Sequence, residues 1–202
     1  MDCTPSNTAS IILAAGSSGR MGIPKSLLKM PGGATFLEQA VSAYLETGIR
    51  QVVVVVNPTV HKVLEYRKPW FFDDVTFIMN SQQEKGRLFS IKLGLEALED
   101  RQFAFVHNVD QPFTTAELIG QMMKKAEKGS YVVPAYEGNS GHPVLLEADV
   151  IAAVIKHCAD CKDLRTIIQP FYKNIVHTQN PLVCENINTP DDYRRVFGVM
   201  PG

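Results

Sequence analysis

Ile11-Ile12-Leu13-Ala14-Ala15-Gly16-Ser17-Ser18-Gly19-Arg20-Met21-Gly22-Ile23-Pro24-Lys25 decides how the rest of the chain reads. Its apolar start has the length of one buried strand. It empties into a loop holding Gly16, Gly19 and Gly22 with Ser17 and Ser18, closed by two cations, Arg20 and Lys25. A loop without bulky side chains lets backbone N–H groups approach an anion, and the cations add the charge that N–H dipoles lack. A triphosphate fits such a cradle best. The spacing is neither that of the P-loop nor Gly-x-Gly-x-x-Gly, and an ordinary Gly/Ser turn after a first strand is the alternative.

Downstream, strand and helix patterns alternate. The spacing predicts an extended piece at 26–30, then a helix opened by the capping box Thr35-Phe36-Leu37-Glu38 and ended by Gly48. Five consecutive valines, 52–56, read as a strand covered on both faces, and Asn57-Pro58 breaks it. Further strands are expected at 75–79 and 103–107, with helices at 88–98 and after the capping box Thr114-x-x-Glu117, the latter stopped by Gly129. This alternation predicts a mostly parallel, Rossmann-like sheet in a three-layer α/β/α arrangement, with ligands at the carboxyl ends of the strands. The polar clusters 15–25, 80–87 and 108–111 all fall at such ends, so their chemistry is expected to converge in one cleft. From 130 onward the pattern is less regular, with strands at 131–134, 143–146 and 174–177 and helices at 149–157, 163–169 and 190–197.

The chain of 202 residues is 45% hydrophobic and 20% charged, with a net charge of −1, which suits one domain with a large core. The near-neutral balance argues against nucleic acid as a partner. No apolar run approaches membrane-spanning length, and the start lacks a secretory pattern, so a cytoplasmic location is expected. Cys158-Ala-Asp-Cys161 has the spacing of a redox pair or half a zinc site, but no second pair completes it, and packed free thiols are the default for these and for Cys3 and Cys184.

Asp110, in Asn108-Val109-Asp110-Gln111-Pro112 after a strand, would point out of the top of the sheet. A hard oxygen there suits magnesium beside a triphosphate. An Asp that starts a turn before Pro112 is the plainer reading.

The run from Leu13 to Lys25, Leu-Ala-Ala-Gly-x-Ser-x-Arg-Met-Gly-x-x-Lys, resembles the opening of the MobA-like NTP transferases, the molybdenum-cofactor cytidylyltransferases and guanylyltransferases. Asp110-Gln111-Pro112, Arg87-x-x-Ser90-x-x-x-Gly94, Gly141-His142-Pro143 and Asn186-x-Asn188-Thr189-Pro190 extend the likeness over most of the chain. The resemblance implies a nucleotide-diphospho-sugar-transferase-like fold, with a nucleotide-binding half (1–129) and an acceptor-binding half (130–202) of one domain. It implies a magnesium-dependent nucleotidyltransferase that moves CMP, or less readily GMP, from CTP or GTP to a small phosphorylated acceptor of the molybdopterin type, with a molybdoenzyme as a downstream partner. On this reading Leu13, Ala14, Ala15, Gly16, Ser17, Ser18, Gly19, Arg20, Met21, Gly22 and Lys25 cradle the nucleotide. Asn80, Gly86 and Ser90 meet its base or ribose. Arg20, Lys25 and Asp110 are the catalytic residues, and Asp110 with Asn188 holds the metal. His142 and Arg165 face the acceptor.

Two departures matter. Both aspartates usual in the cytidylyl branch's last motif are asparagines here, and Lys162-Asp163-Leu164-Arg165 keeps the arginine of a Gly-Ala-Arg segment but not its glycine. The alternatives are a cytidylyltransferase for a sugar phosphate or phospho-polyol, and a non-catalytic cofactor-binding chaperone. A dinucleotide-dependent oxidoreductase is disfavoured by the glycine spacing and by Asn57 where an acid would end the second strand. His61, His107, His157 and His177 show no ligand spacing.

Overall fold

The valine run sits where its composition requires, in the middle of a sheet sealed on both sides. The computed structural model describes residues 2–16, 19, 21–99, 102–159, 161 and 163–201. Strands β1 (Thr8–Ala14), β2 (Gln51–Val56), β3 (Thr76–Met79) and β4 (Phe103–Asn108) pair in parallel in the order β3-β2-β1-β4. Beyond β4 the sheet continues antiparallel through β7 (Val144–Glu147) to β5 (Ser130–Tyr136). That strand carries the short return β6 (Asn139–Ser140) and pairs in parallel with β8 (Tyr172–His177).

Alternate residues of each strand feed opposite layers, as the period of two demands. Ile12, Ala14, Val52, Val54 and Val56 pack under α1 (Phe36–Glu46), α2 (Pro58–Arg67), α4 (Ala116–Met123) and Tyr193 of α7 (Pro190–Phe197). Ile11, Leu13, Val53 and Val55 pack under α3 (Gly86–Glu96), α5 (Ala148–His157) and α6 (Leu164–Ile168). Each valine so buried contributes about 2 kcal/mol of transfer free energy before its entropy cost. The result is the three-layer α/β/α arrangement with a mostly parallel sheet. Among the described residues no helix is long and apolar enough to cross a membrane.

Three local expectations are corrected. Residues 25–27 form a 3-10 turn rather than a strand, because Pro24 sets φ at −53° and its carbonyl accepts from Leu27. The extended piece shrinks to one bridge, Lys29 to Thr35. Helix α4 is capped by Thr115, whose hydroxyl accepts the N–H of Leu118, and not by Thr114. Thr114 is buried against His107 instead. Gly129 lies beyond the end of α4 at Met123, and with φ +68° it leads into β5. The Thr35–Glu38 capping box forms as expected, Thr35 N–H reaching Glu38 at 2.7 Å and Glu38 N–H reaching Thr35 at 3.1 Å.

Candidate active site

The carboxyl ends of the parallel strands open into a cleft of about 560 Å³. The end of β1 and its loop supply Leu13, Ala14, Ala15, Gly16 and Gly19; the 3-10 turn supplies Lys25 and Ser26. The approach to α3 and its first turns supply Gln83, Gly86, Arg87 and Ser90, and the end of β4 supplies Asn108, Val109 and Asp110. Asn186 and Asn188, before α7, close the rim. The three polar clusters expected to converge therefore share one wall.

Within it Lys25 is the hub. Its Nζ donates to Oδ2 of Asp110 at 2.8 Å and to Oδ1 of Asn188 at 2.6 Å. The Lys25 and Asp110 side chains are only 18% and 21% exposed, so water screens this pair less than a surface ion pair. The turn begun by Pro24 buries Ser26 and Leu28 and leaves Lys25 facing the cleft. Asn188 is oriented from behind: Asp192 accepts the N–H of Asn188 at 3.0 Å and that of Thr189 at 2.9 Å, and Thr189 caps α7 in return. These bonds hold the Asp192 carboxyl below its ordinary value against the desolvation that raises it.

Ser90 reaches the cleft, whereas Asn80 is buried behind it. Asn80 donates to the Ser90 hydroxyl at 2.9 Å and accepts the N–H of Gln82 at 2.8 Å, so it orients Ser90 rather than lining the wall. Gly94 lets α3 approach the sheet: a Cβ there would stand 3.1 Å from Ile11 and from Val55. The glycine loop is anchored by a residue that the sequence marked as a strand breaker and as a departure from the dinucleotide pattern. Asn57 is buried, donates to the carbonyls of Ala15 at 3.2 Å and Gly16 at 3.4 Å, and caps α2 through the N–H of Val60. Its signal was present, an Asn at an N-cap directly after a central strand.

The remaining expected residues are placed as follows. Met21 is buried and Gly22 adopts φ +75°; neither lines the cleft wall. Ser17, Ser18 and Arg20 lie outside the described residues. His142 is half-buried beside the cleft, its N–H donating to Val183 at 3.1 Å. Burial, with the neighbouring charge of Arg87, lowers its imidazole to about 4. Arg165 is exposed on α6; burial raises the Tyr131 phenol, and the nearby charge of Arg165 only partly opposes it. His107, given no role from sequence, lies fully buried beneath Asp110: Nε2 meets the Gln111 carbonyl at 3.0 Å, and burial lowers its pKa to about 4. Cys158 and Cys161 are free thiols beside Lys85, Arg87 and Lys92 in a second hollow of about 470 Å³.

Among the described residues no group of three or more His, Cys, Asp or Glu could hold a metal ion by itself. Asp110 and Asn188 do present two hard oxygens to one cationic point, at present the ammonium of Lys25. Two protein oxygens suit a magnesium-type ion that takes its other ligands from phosphates and water.

The family model described as MobA-like NTP transferase domain matches residues 10–178. The chain is 23% identical to the nicotine blue oxidoreductase of Paenarthrobacter nicotinovorans over 93% of this chain and 95% of that protein. It is 30% identical to the probable molybdenum cofactor guanylyltransferase of Mycobacterium tuberculosis (strain CDC 1551 / Oshkosh), over 65% of this chain and 63% of that protein's length. The crystal structure of Rv0371C in complex with manganese, from Mycobacterium tuberculosis H37Rv, superposes with a TM-score of 0.77 at 18% identity, covering 96% of this chain and all of that one.

Proposed function

Because the chain belongs to the MobA-like NTP transferase family and is a nucleotidyltransferase, we propose that it moves a nucleoside monophosphate from an NTP to a molybdopterin-type phosphorylated acceptor. The observation that carries this reading is the meeting of Lys25, Asp110 and Asn188 in the cleft that also holds the glycine loop. Loop amides at Ala15, Gly16 and Gly19, which line the cleft, and the Lys25 ammonium bind the β- and γ-phosphates; Ser17, Ser18 and Arg20 join them on sequence grounds. Gly86 and Ser90, the latter aimed by Asn80, meet the base or ribose. Residues 1–129 serve the nucleotide. Residues 130–202, through His142 and Arg165, serve the acceptor. A cytoplasmic setting belongs to the same reading.

A phosphate oxygen of the acceptor attacks the α-phosphorus in line; the new P–O bond forms as the bond to the bridging oxygen of the β-phosphate breaks, and pyrophosphate leaves. That acceptor oxygen is already ionised at neutral pH, so no general base is required. Catalysis is alignment plus neutralisation of charge on the leaving pyrophosphate. Asp110 and Asn188 would hold magnesium, which when bound withdraws charge from the phosphate oxygens. Ala14-Ala15-Gly16 favours CTP as donor, and the asparagines at 186 and 188 favour GTP.

The test is pyrophosphate release with magnesium, each of the four NTPs in turn, and molybdopterin as acceptor. One NTP should support release, and Asp110→Asn should slow it by about 100-fold or more. NTP binding without release in every arm would overturn molybdopterin as acceptor. The same arms with a sugar phosphate or phospho-polyol then separate a transferase for that acceptor from a cofactor-binding module.

One relative is named an oxidoreductase, which favours as a second reading the dinucleotide-dependent oxidoreductase weighed from the sequence. Against it, the end of β2 offers Asn57 where such folds place the acid that holds ribose hydroxyls, and Asn57 is committed to Ala15, Gly16 and α2. NADH or NADPH oxidation with nicotine blue as acceptor, absent any NTP, would establish this second reading.

A further inference from the structure

We propose that Lys25 is a latch on the metal pair. Its ammonium holds the place between Asp110 and Asn188 until a polyphosphate draws it away, so that metal and nucleotide bind as one coupled event. The inference deepens the transferase reading and rests on it.

The geometry is specific. An ammonium has donors only, so the oxygen of the Asn188 amide and a carboxylate oxygen of Asp110 both face the same nitrogen, at 2.6 and 2.8 Å. A magnesium-type ion bonds such oxygens at about 2.1 Å, closer than the ammonium does, so one ion bridging this pair competes with Lys25 for the same two acceptors.

Lys25 cannot simply leave. Asp110 is about four-fifths buried, and withdrawing its partner strands a carboxylate against an amide oxygen. The exchange becomes favourable when two things happen together: a divalent ion takes over the oxygens, and the ammonium finds another anion. The cleft supplies the second condition, because Ala15, Gly16 and Gly19 of the glycine loop line it together with Lys25. The four-carbon stem of a lysine lets a point charge swing between the two positions, which a rigid guanidinium would not do as easily. Metal and nucleotide therefore raise each other's affinity by the same factor. Without nucleotide, the latch also guards the site against adventitious divalent ions.

The test follows Mn2+ by paramagnetic broadening of the Asp110 backbone and Asn188 side-chain amide resonances of the intact chain. Mn2+ alone, at concentrations that leave these signals sharp, should broaden them fully once α,β-methylene CTP or GTP is added. Equal broadening with and without the analogue overturns the latch. In parallel, free Mn2+ is measured by its EPR signal during titration of the wild type and of Lys25→Met without nucleotide. The variant should bind at least tenfold more tightly, and adding Asp110→Asn should abolish that gain. Equal affinity of Lys25→Met and wild type, or a gain that survives Asp110→Asn, refutes the proposal. Phosphate ligands alone would also draw Mn2+ to this pair, so the broadening can overturn the latch but the titration carries it. Lys25→Ala, run in the same titration with the same expected gain, decides if Lys25→Met misfolds. The two readings fail separately. A tighter Mn2+ affinity on loss of the Lys25 ammonium, without pyrophosphate release by the wild type, keeps the latch and removes the reaction; equal broadening with release intact does the reverse.

Discussion

The backbone N–H of Ile187 donates to the carbonyl oxygen of Asp110 at 2.9 Å. This one bond joins the end of β4 to the segment before α7, so main chain sets Asp110 and Asn188 side by side where the Lys25 ammonium meets both side chains. The capping box of α7 then fixes the last step, since Asp192 grips the N–H groups of Asn188 and Thr189. Asp192→Ala should cost about 1 kcal/mol of stability through the lost cap. It should also weaken Mn2+ binding in the presence of nucleotide several-fold, while nucleotide binding without metal stays close to wild type. Calorimetric unfolding and the Mn2+ titration check the two effects, and an unchanged metal affinity would remove Asp192 from the positioning of Asn188.

Asn57 offers a cleaner separation of cap from cradle. Asn57→Ala loses both and should destabilise by about 1–2 kcal/mol. Asn57→Asp keeps an acceptor for Val60 N–H but can no longer donate to Ala15 and Gly16. That variant should therefore raise the KM for NTP more than it lowers kcat. An NTP KM equal to wild type in Asn57→Asp would show that the loop holds its shape without this anchor.

What sequence reveals here follows the reach of each signal. The valines of β2 and the Thr35–Glu38 box are local patterns, and both stand where the pattern puts them. The convergence of Lys25 with Asp110 follows from βα alternation, because parallel strands send their carboxyl ends to one edge. Thr114 and Thr115 were indistinguishable as caps until the buried imidazole of His107 took the first of them inward. Asn80 read as a ligand contact for the same kind of reason. Only the tertiary position of Ser90 shows that the amide is used up behind it. Asn57 and His107 act through partners remote in sequence or through burial, which no periodicity encodes.

The buried imidazoles give stability a pH dependence of definite sign. His107 stays neutral in the fold down to about pH 4, whereas an unfolded histidine titrates near 6.5. Between those values the unfolded chain binds more protons, so the stabilising preference for the neutral form is whole above pH 6.5 and is lost as the pH falls. His142, lowered to about 4 as well, acts in the same direction. His107 alone should account for roughly 2 kcal/mol of the stability lost between pH 7 and pH 5. Urea midpoints of the wild type and His107→Gln at both pH values measure it, the variant showing the smaller drop. Equal drops in the two proteins would mean that His107 is protonated in the fold at pH 5.

Gly94 sets how closely the nucleotide-facing helix lies on the sheet. A Cβ at this position would stand 3.1 Å from Cβ and Cγ2 of Ile11 and from Cγ2 of Val55, all from central strands with little room to yield. For Gly94→Ala the gain in helix propensity, about 1 kcal/mol, offsets part of the crowding. Gly94→Val adds two methyl groups and a poorer helix former, and overpacking of this kind costs about 1–3 kcal/mol. The same helix carries Arg87 and Ser90 into the cleft, so pushing it off β1 and β2 displaces both together. Gly94→Val should thus lower the urea midpoint and raise the KM for NTP, with Gly94→Ala falling between it and the wild type. If Gly94→Val unfolds at the wild-type midpoint, α3 is not pressed against Ile11 and Val55, and the placement of Ser90 must be maintained by Asn80 alone.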